Sequence, residues 1–266
     1  MLISLYADDM IMMGSANYLI EEIKQQLSQK FEMKDLGELH YCLGLEVWRD
    51  SGQTFLSQGK YAKILLTKFK MDECKATFLP LQQNNKLQVN DGSRYADATL
   101  YRQLVGSIIY LTTTRPDLAY VVSVLSQFMT HPHENHWPSV KGLLRYLQGS
   151  MGFGIFYSES FHVSLTGYTD SDWVGNLDDR RSITGYAFSI GFRVISWCSK
   201  KQHNVALSSA EAEYQAMCAV ACQAIWLRRF LQHVGKNIHK LWLSIAIIKV
   251  PSNWVTVLCF IKTLST

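Results

Sequence analysis

Val163-Ser164-Leu165-Thr166-Gly167-Tyr168-Thr169-Asp170 is the stretch on which the fold turns. Up to about Phe153 the apolar residues recur at helical spacing. From there Phe161, Val163 and Leu165 alternate with polar residues, the period of a half-buried strand. Ile183 to Ile190 and Val194 to Trp197 read as two further strands, with Gly191 at the turn between them. A long helix follows. Ser208 and Glu211 fit a capping box at its start, and Gly235 suits its end. Its apolar stripe reads Tyr214, Met217, Ala221, Ala224, Leu227, Leu231 and Val234. Three antiparallel strands and a helix make an α+β unit.

Working back toward the start, the chain is helical. Val140, Leu143, Leu144 and Leu147 form one stripe, which Gly149 can end. Leu118, Val121, Val122, Leu125 and Phe128 form another, with Pro116 suited to a first turn. Leu104, Val105, Ile108 and Leu111 form a third. Residues 84–93 are polar and read as a linker. Gly37, Gly44 and Gly52 punctuate short strands around Leu43 to Val47. Leu19, Ile20, Ile23 and Leu27 predict a helix, with Glu21, Glu22 and Lys24 outside. Leu2 to Tyr6 and Met10 to Met13 flank Asp8-Asp9 as a β-hairpin with acids at its tip.

The bulk numbers are those of an ordinary globular chain: 266 residues, 48% hydrophobic, 18% charged, net charge +4. That charge permits an anionic partner without requiring one. The six cysteines (Cys42, Cys74, Cys198, Cys218, Cys222 and Cys259) form no C-x-x-C pair, which argues against a zinc site and predicts small buried thiols. Asp8 and Asp9 end any apolar targeting core at the start, so an intracellular location is expected. Lys249, Pro251 and Asn253 exclude a membrane span over Leu241 to Ile261.

Two carboxylates on a tight hairpin repel unless a cation sits between them, and Mg²⁺ held by carboxylates and substrate phosphates is the usual answer. Tyr6-Ala7-Asp8-Asp9 resembles the Y-x-D-D hairpin of reverse transcriptases. Phe31-Glu32-Met33-Lys34-Asp35-Leu36-Gly37-Glu38-Leu39-His40-Tyr41-Cys42-Leu43-Gly44-Leu45-Glu46-Val47 resembles the segment that follows it in copia-type LTR retrotransposons. There Leu43 to Val47 would be the primer-grip turn, and Cys42 stands where the family usually has an aromatic. Tyr101-Arg102-Gln103-Leu104-Val105-Gly106-Ser107 and Thr114-Arg115-Pro116-Asp117 look like the family's connection region.

Gly167-Tyr168-Thr169-Asp170-Ser171-Asp172-Trp173, Asp178 to Tyr186, and Ser208-Ser209-Ala210-Glu211-Ala212-Glu213-Tyr214 resemble the opening half of its RNase H domain. The resemblance spans roughly residues 1–235. It implies an α+β chain with a reverse-transcriptase palm remnant at 1–50 and a mostly helical thumb or connection at 51–152. A truncated RNase H-like half then covers 153–235, with an out-of-frame tail at 236–266. The implied partner is an RNA–DNA hybrid or another nucleic acid, with no membrane and no small-molecule cofactor.

Two-metal hydrolysis needs acids from several elements to converge. By resemblance, the Mg²⁺ ligands are Asp8 and Asp9 on the polymerase side and Asp170 and Glu213 on the RNase H side. Residues two apart on a helix lie on nearly opposite faces, so Glu211 and Glu213 cannot both serve. The capping box accounts for Glu211, which stays the alternative. Asp172 reads as a turn aspartate, and Asp178 and Asp179 as shaping a polar loop. His131, His133 and His136 read as an inter-helix loop. Lys200-Lys201-Gln202-His203-Asn204 is a basic patch within reach of phosphates, or a polar loop. Trp173 and Trp197 read as core.

Several family features are missing. An earlier palm aspartate is not in the chain. After Gly235 there is neither the expected C-D-N-Q-S-A-I strand nor any Asp or Glu. Back-translation of Ile245 to Thr266, read from the third base of the Ile245 codon, nevertheless gives C-D-N-Q-S-A-I-K-L-G-D-S-P-V-L-H-Q-N-T-K-H when free third bases and Ser and Leu codons are chosen to suit. The expectation is a frameshift between about Gly235 and Ile245 and a chain that is catalytically incomplete. A non-catalytic nucleic-acid-binding module, or residual Mg²⁺-dependent RNase H activity completed by a partner chain, are the alternatives.

Overall fold

The computed structural model describes residues 1–81, 87–89, 92–158, 164–173, 175–191 and 193–235, and the backbone of 241–242. The proposed out-of-frame tail lies outside the described residues apart from that dipeptide, as do Phe161, Val163 and Cys259.

β1 (Leu2–Tyr6) and β2 (Asp9–Met13) form an antiparallel hairpin in which Tyr6 faces Asp9. The two-residue loop is Ala7-Asp8, with Ala7 at φ 48°. α1 (Asn17–Ser28) forms at the predicted spacing, yet no residue of it is buried. None of residues 1–45 is buried.

β3 (Tyr41–Cys42), β4 (Leu45–Asp50) and β5 (Gln53–Ser57) make a meander. The β3–β4 turn is Leu43-Gly44, both with positive φ, as a two-residue hairpin turn requires. Gly44 is needed twice over: a Cβ there would lie 2.7 Å from the Tyr110 hydroxyl. That hydroxyl donates to the Leu43 carbonyl and pins the turn to the helical layer.

α2 (Gly59–Lys68) starts against the buried Glu46 of β4, whose Oε1 accepts from the Lys60 N–H at 2.6 Å. A buried carboxylate is tolerable there because a helix N-terminus carries partial positive charge. α3 (Ala98–Leu111) is capped by Asp97, which accepts from the N–H groups of Thr99 and Leu100. A 3₁₀ turn at Pro116–Leu118 leads into α4 (Ala119–Ser126), and a second at Glu134–His136 leads into α5 (Trp137–Gly149). α2 to α5 enclose the main core, with Leu66, Tyr101, Leu118, Leu125 and Leu143 among its fully buried members.

β6 (Gly154–Ser158) then pairs antiparallel with β5. This corrects two expected boundaries. The β4–β5 hairpin runs through the 50/51 division, and β6 belongs to the first sheet rather than to the unit expected from 153. The reason is backbone pairing: β5 offers a free edge, and Gly154 can sit against it because a Cβ there would be 2.3 Å from the Leu56 carbonyl oxygen.

The second sheet holds β7 (Leu165–Ser171), β8 (Ile183–Ile190) and β9 (Arg193–Lys201), all antiparallel neighbours. α6 (Ser209–His233) crosses it, and β10 (Leu241–Trp242) pairs parallel with β7, giving the order β10-β7-β8-β9. Leu165 and Phe188 meet Val220, Ala224 and Leu227 of α6. The buried stripe of α6 is Ala212, Ala216, Val220, Ala224 and Leu227, so the predicted stripe was rotated. Tyr214 is 64% exposed, and Ala221 is exposed. Small residues win the buried face because the helix packs close over the sheet.

The two units touch through polar contacts. Trp197 Nε1 donates to the Thr112 carbonyl (2.9 Å), Asn176 Nδ2 to Gln127 Oε1 (2.7 Å) and the Tyr157 hydroxyl to the Val194 carbonyl (3.1 Å). The fold class is therefore mixed α and β, compatible with the α+β expectation. Among the described residues no helix is long and apolar enough to cross a membrane.

At the centre of the helical unit Arg115 forms a buried ion pair with Asp117 at 2.6 Å. Removing one partner of such a pair strands the other charge. Arg115→Ala is expected to lower unfolding free energy by about 3–5 kcal/mol in urea denaturation. Lys24→Ala, at an exposed pair with Glu21, should leave the midpoint unchanged.

Candidate functional site

The second sheet and its helix bring two sequence-predicted acids together. Asp170 sits near the end of β7, opposite Gly185 of β8. Glu213 lies in the second turn of α6, one residue after the fully buried Ala212. Both are half-buried. Burial pushes the Asp170 carboxyl above its ordinary range; a backbone N–H at Ser171 opposes this, and the charge of Glu213 adds to it. Among the described residues neither acid has an ion-pair partner, and no group of three or more His, Cys, Asp or Glu side chains is placed to hold a metal.

Glu211 is occupied elsewhere. Ser208 accepts from the Glu211 N–H (3.2 Å), and the Glu211 carboxylate accepts from the Leu207 N–H (2.8 Å), one residue before the cap. This is the expected box with its return arm displaced by one position.

Asp8 and Asp9 are exposed at the tip of the first hairpin, one in the loop and one opening β2. The structure brings no third acid to them among the described residues.

The other candidates resolve into structural roles. Asp172 accepts from the Ile183 N–H and so ties the β7 end to the start of β8. Asp178 accepts from the Val89 N–H (2.8 Å), and Asp179 pairs with Lys201 (2.6 Å). Burial alone would raise Asp179, but Lys201, the Arg181 N–H and the Arg181 charge together hold it below the usual carboxylate range. His133 and His136 are buried: His133 Nδ1 lies 2.9 Å from the Ser93 carbonyl, and His136 Nε2 lies 2.9 Å from the Gln88 carbonyl.

Three expectations need correction. Trp173 is 53% exposed rather than core, its indole N–H reaching the Ala206 carbonyl. Of the five cysteines described, none is buried, and Cys218 and Cys222 are exposed because they fall on the outer side of α6. The basic patch is divided: Lys201 is engaged by Asp179 and Gln202 is buried, leaving Lys200 and His203 exposed. The burial of Gln202 was missed because, in sequence, it is one polar residue in a polar run.

With this geometry in view, comparison with known proteins is informative. A reverse transcriptase (RNA-dependent DNA polymerase) family model matches residues 1–83. The chain is 40% identical over 230 residues to the retrovirus-related Pol polyprotein from transposon RE2 of Arabidopsis thaliana, covering 86% of this chain and 16% of that protein. It is 41% identical over 241 residues to the Pol polyprotein from transposon TNT 1-94 of Nicotiana tabacum, covering 87% and 18%. An uncharacterized mitochondrial protein of Arabidopsis thaliana is 38% identical over 228 residues, covering 85% of this chain and 94% of that one. No solved structure matches. The match of residues 1–83 and the Pol relatives thus define a reverse-transcriptase relative. The chain belongs to the copia-type retrotransposon Pol family, and it spans less than a fifth of the length of the two Pol polyproteins it matches.

A carboxyl whose pKa is higher in the folded than in the unfolded chain stabilises the fold while protonated. That contribution disappears as pH rises through the raised value. Asp170→Asn is therefore expected to raise the melting temperature near pH 7, with the gain shrinking to nothing as pH falls below the aspartate range. An unchanged melting temperature near pH 7 would count against the strained pair.

Proposed function

We propose that the chain derives from the reverse transcriptase and RNase H of a copia-type element, and that β7 to β10 with α6 are the first half of an RNase H-type nuclease. The observation that carries this reading is the placement of Asp170 at a strand end and Glu213 on the crossover helix, with their neighbours Ser171 and Ala212 both within hydrogen-bond distance of Gln202 Nε2. The parallel return of β10 beside β7 after that helix supports it. Asp8 and Asp9, by their hairpin, are assigned as two carboxylates of the polymerase metal site.

Mg²⁺ held in such a site supplies activation of water and neutralisation of charge on the leaving phosphate oxygen. The residues present fit that group only in part. Two carboxylates on rigid elements can bind a divalent cation weakly and orient it toward a phosphodiester. Two-metal hydrolysis calls for a third, and from Gly235 to Thr266 the sequence contains none.

The shifted reading from Ile245 supplies an aspartate in C-D-N, on the strand that would run beside that of Asp170. The frame change is assigned between about Gly235 and Ile245. On this reading the present chain is a catalytically incomplete relic whose partner class is RNA–DNA hybrid.

Sequencing the DNA that encodes residues 230–266 and the stretch beyond tests the tail; absence of the shifted C-D-N-Q-S-A-I reading would overturn that part. A frame-restored chain extended to the end of the domain is expected to cleave the RNA of a hybrid with Mg²⁺, and Asp170→Asn to abolish it. The chain as it stands should be slower by about a thousandfold or more. Metal-dependent cleavage that survives Asp170→Asn would remove Asp170 from the site.

A further inference from the structure

We infer that Gln202 is a positioning residue for the Asp170–Glu213 pair, a clamp that sets the spacing of strand end and helix; the inference rests on the metal-site reading above. Gln202 is 8% exposed and directly follows β9. Its backbone N–H donates to the Ser182 carbonyl at 2.8 Å, which fixes the residue against β8. Its side-chain nitrogen lies 2.8 Å from the Ala212 carbonyl, 2.9 Å from Thr184 Oγ1 and 3.1 Å from Ser171 Oγ.

Each of these partners is next to the site. Ser171 follows Asp170, Ala212 precedes Glu213, and Thr184 is the cross-strand neighbour of Ser171. One amide therefore joins β7, β8 and α6 at the point where the two acids meet.

The chemistry of the contacts selects glutamine. The Ala212 carbonyl only accepts, so the amide nitrogen must face it, and the two hydroxyls can rotate to share its second hydrogen. A glutamate would set a carboxylate against a carbonyl. A shorter asparagine would not span strand and helix together. Gln202 Oε1 is buried and, among the described residues, receives no donor. That cost is tolerated for what the nitrogen does.

Asp170 and Glu213 are both half-buried on the two elements that this amide joins. Ala212 is fully buried, so the hydrogen bond to its carbonyl is made in dry surroundings, where it is strongest.

The test uses the full chain and Gln202→Met, which keeps length and bulk and deletes the amide. Mn²⁺ binding, followed by the electron paramagnetic resonance of the free ion, is expected in the wild-type chain and lost in Asp170→Asn. Gln202→Met should weaken it by about tenfold, the effect of removing an outer-shell partner. A metal-free measurement accompanies it. Amide hydrogen exchange at Ser171 and in the first turns of α6 should quicken by about tenfold or more in Gln202→Met, with β4 and β5 unchanged. Unchanged exchange at both places overturns the clamp, as does unchanged Mn²⁺ affinity in Gln202→Met. No Mn²⁺ binding by the wild type, with the faster exchange intact, overturns the metal reading and leaves the clamp standing.

Discussion

Arg115 holds the molecule together. Its guanidinium, 2% exposed, donates to both carboxylate oxygens of Asp117, to the Ser150 carbonyl and to Ser150 Oγ. Tyr146 donates to the same Asp117, and the rings of Tyr146 and Phe153 lie 5.8 and 5.2 Å from the guanidinium. The corner between α3 and α4 is thereby fastened to the end of α5. That end delivers the chain to β6, which closes the first sheet against β5, while α4 and its neighbours receive β9. One satisfied buried cation thus fixes the corner and the helix end from which β6 leaves, and the planar fork of arginine is what lets it bond three groups at once.

A second constraint acts in the opposite sense. Burial holds the Asp170 carboxyl above its ordinary range, and the charge of Glu213 adds to that. Such a costly carboxylate persists where surrounding structure over-determines it. Here the surroundings are the seven-residue ladder of β7 with β8, the small-residue seam of α6, and Gln202. Gly167 belongs to the same design: a Cβ there would stand 2.5 Å from the Phe188 ring that fills the second core.

Much of this was legible in residues alone. Helix α3 and the strands of the second sheet follow from apolar period, and the N-cap at Ser208 and the helix end at Gly235 from the needs of terminal backbone groups. Asp170 and Glu213 stood out because carboxylates at the ends or edges of apolar patterns need a reason to be there. The face of α6 was misread because Tyr214 and Met217 look more apolar than Ala212 and Ala216. Hydrophobicity ranks residues by transfer from water, whereas a helix lying close on a sheet ranks them by size. The thiols were misread similarly, since Cys218 and Cys222 share a face with each other but not with the core.

By itself the sequence determined which segments are helix and strand, the candidate acids, and the family, since these depend on local period, on ionisable groups and on ordered motifs. It also determined that the last stretch lacks acids. Only the tertiary structure decided that β6 joins the first sheet, that the Glu211 carboxylate returns to the Leu207 N–H rather than to that of Ser208, and that Gln202 bridges strand and helix. Those outcomes depend on which backbone edges and buried polar atoms meet across long sequence separations, and no local pattern encodes that meeting.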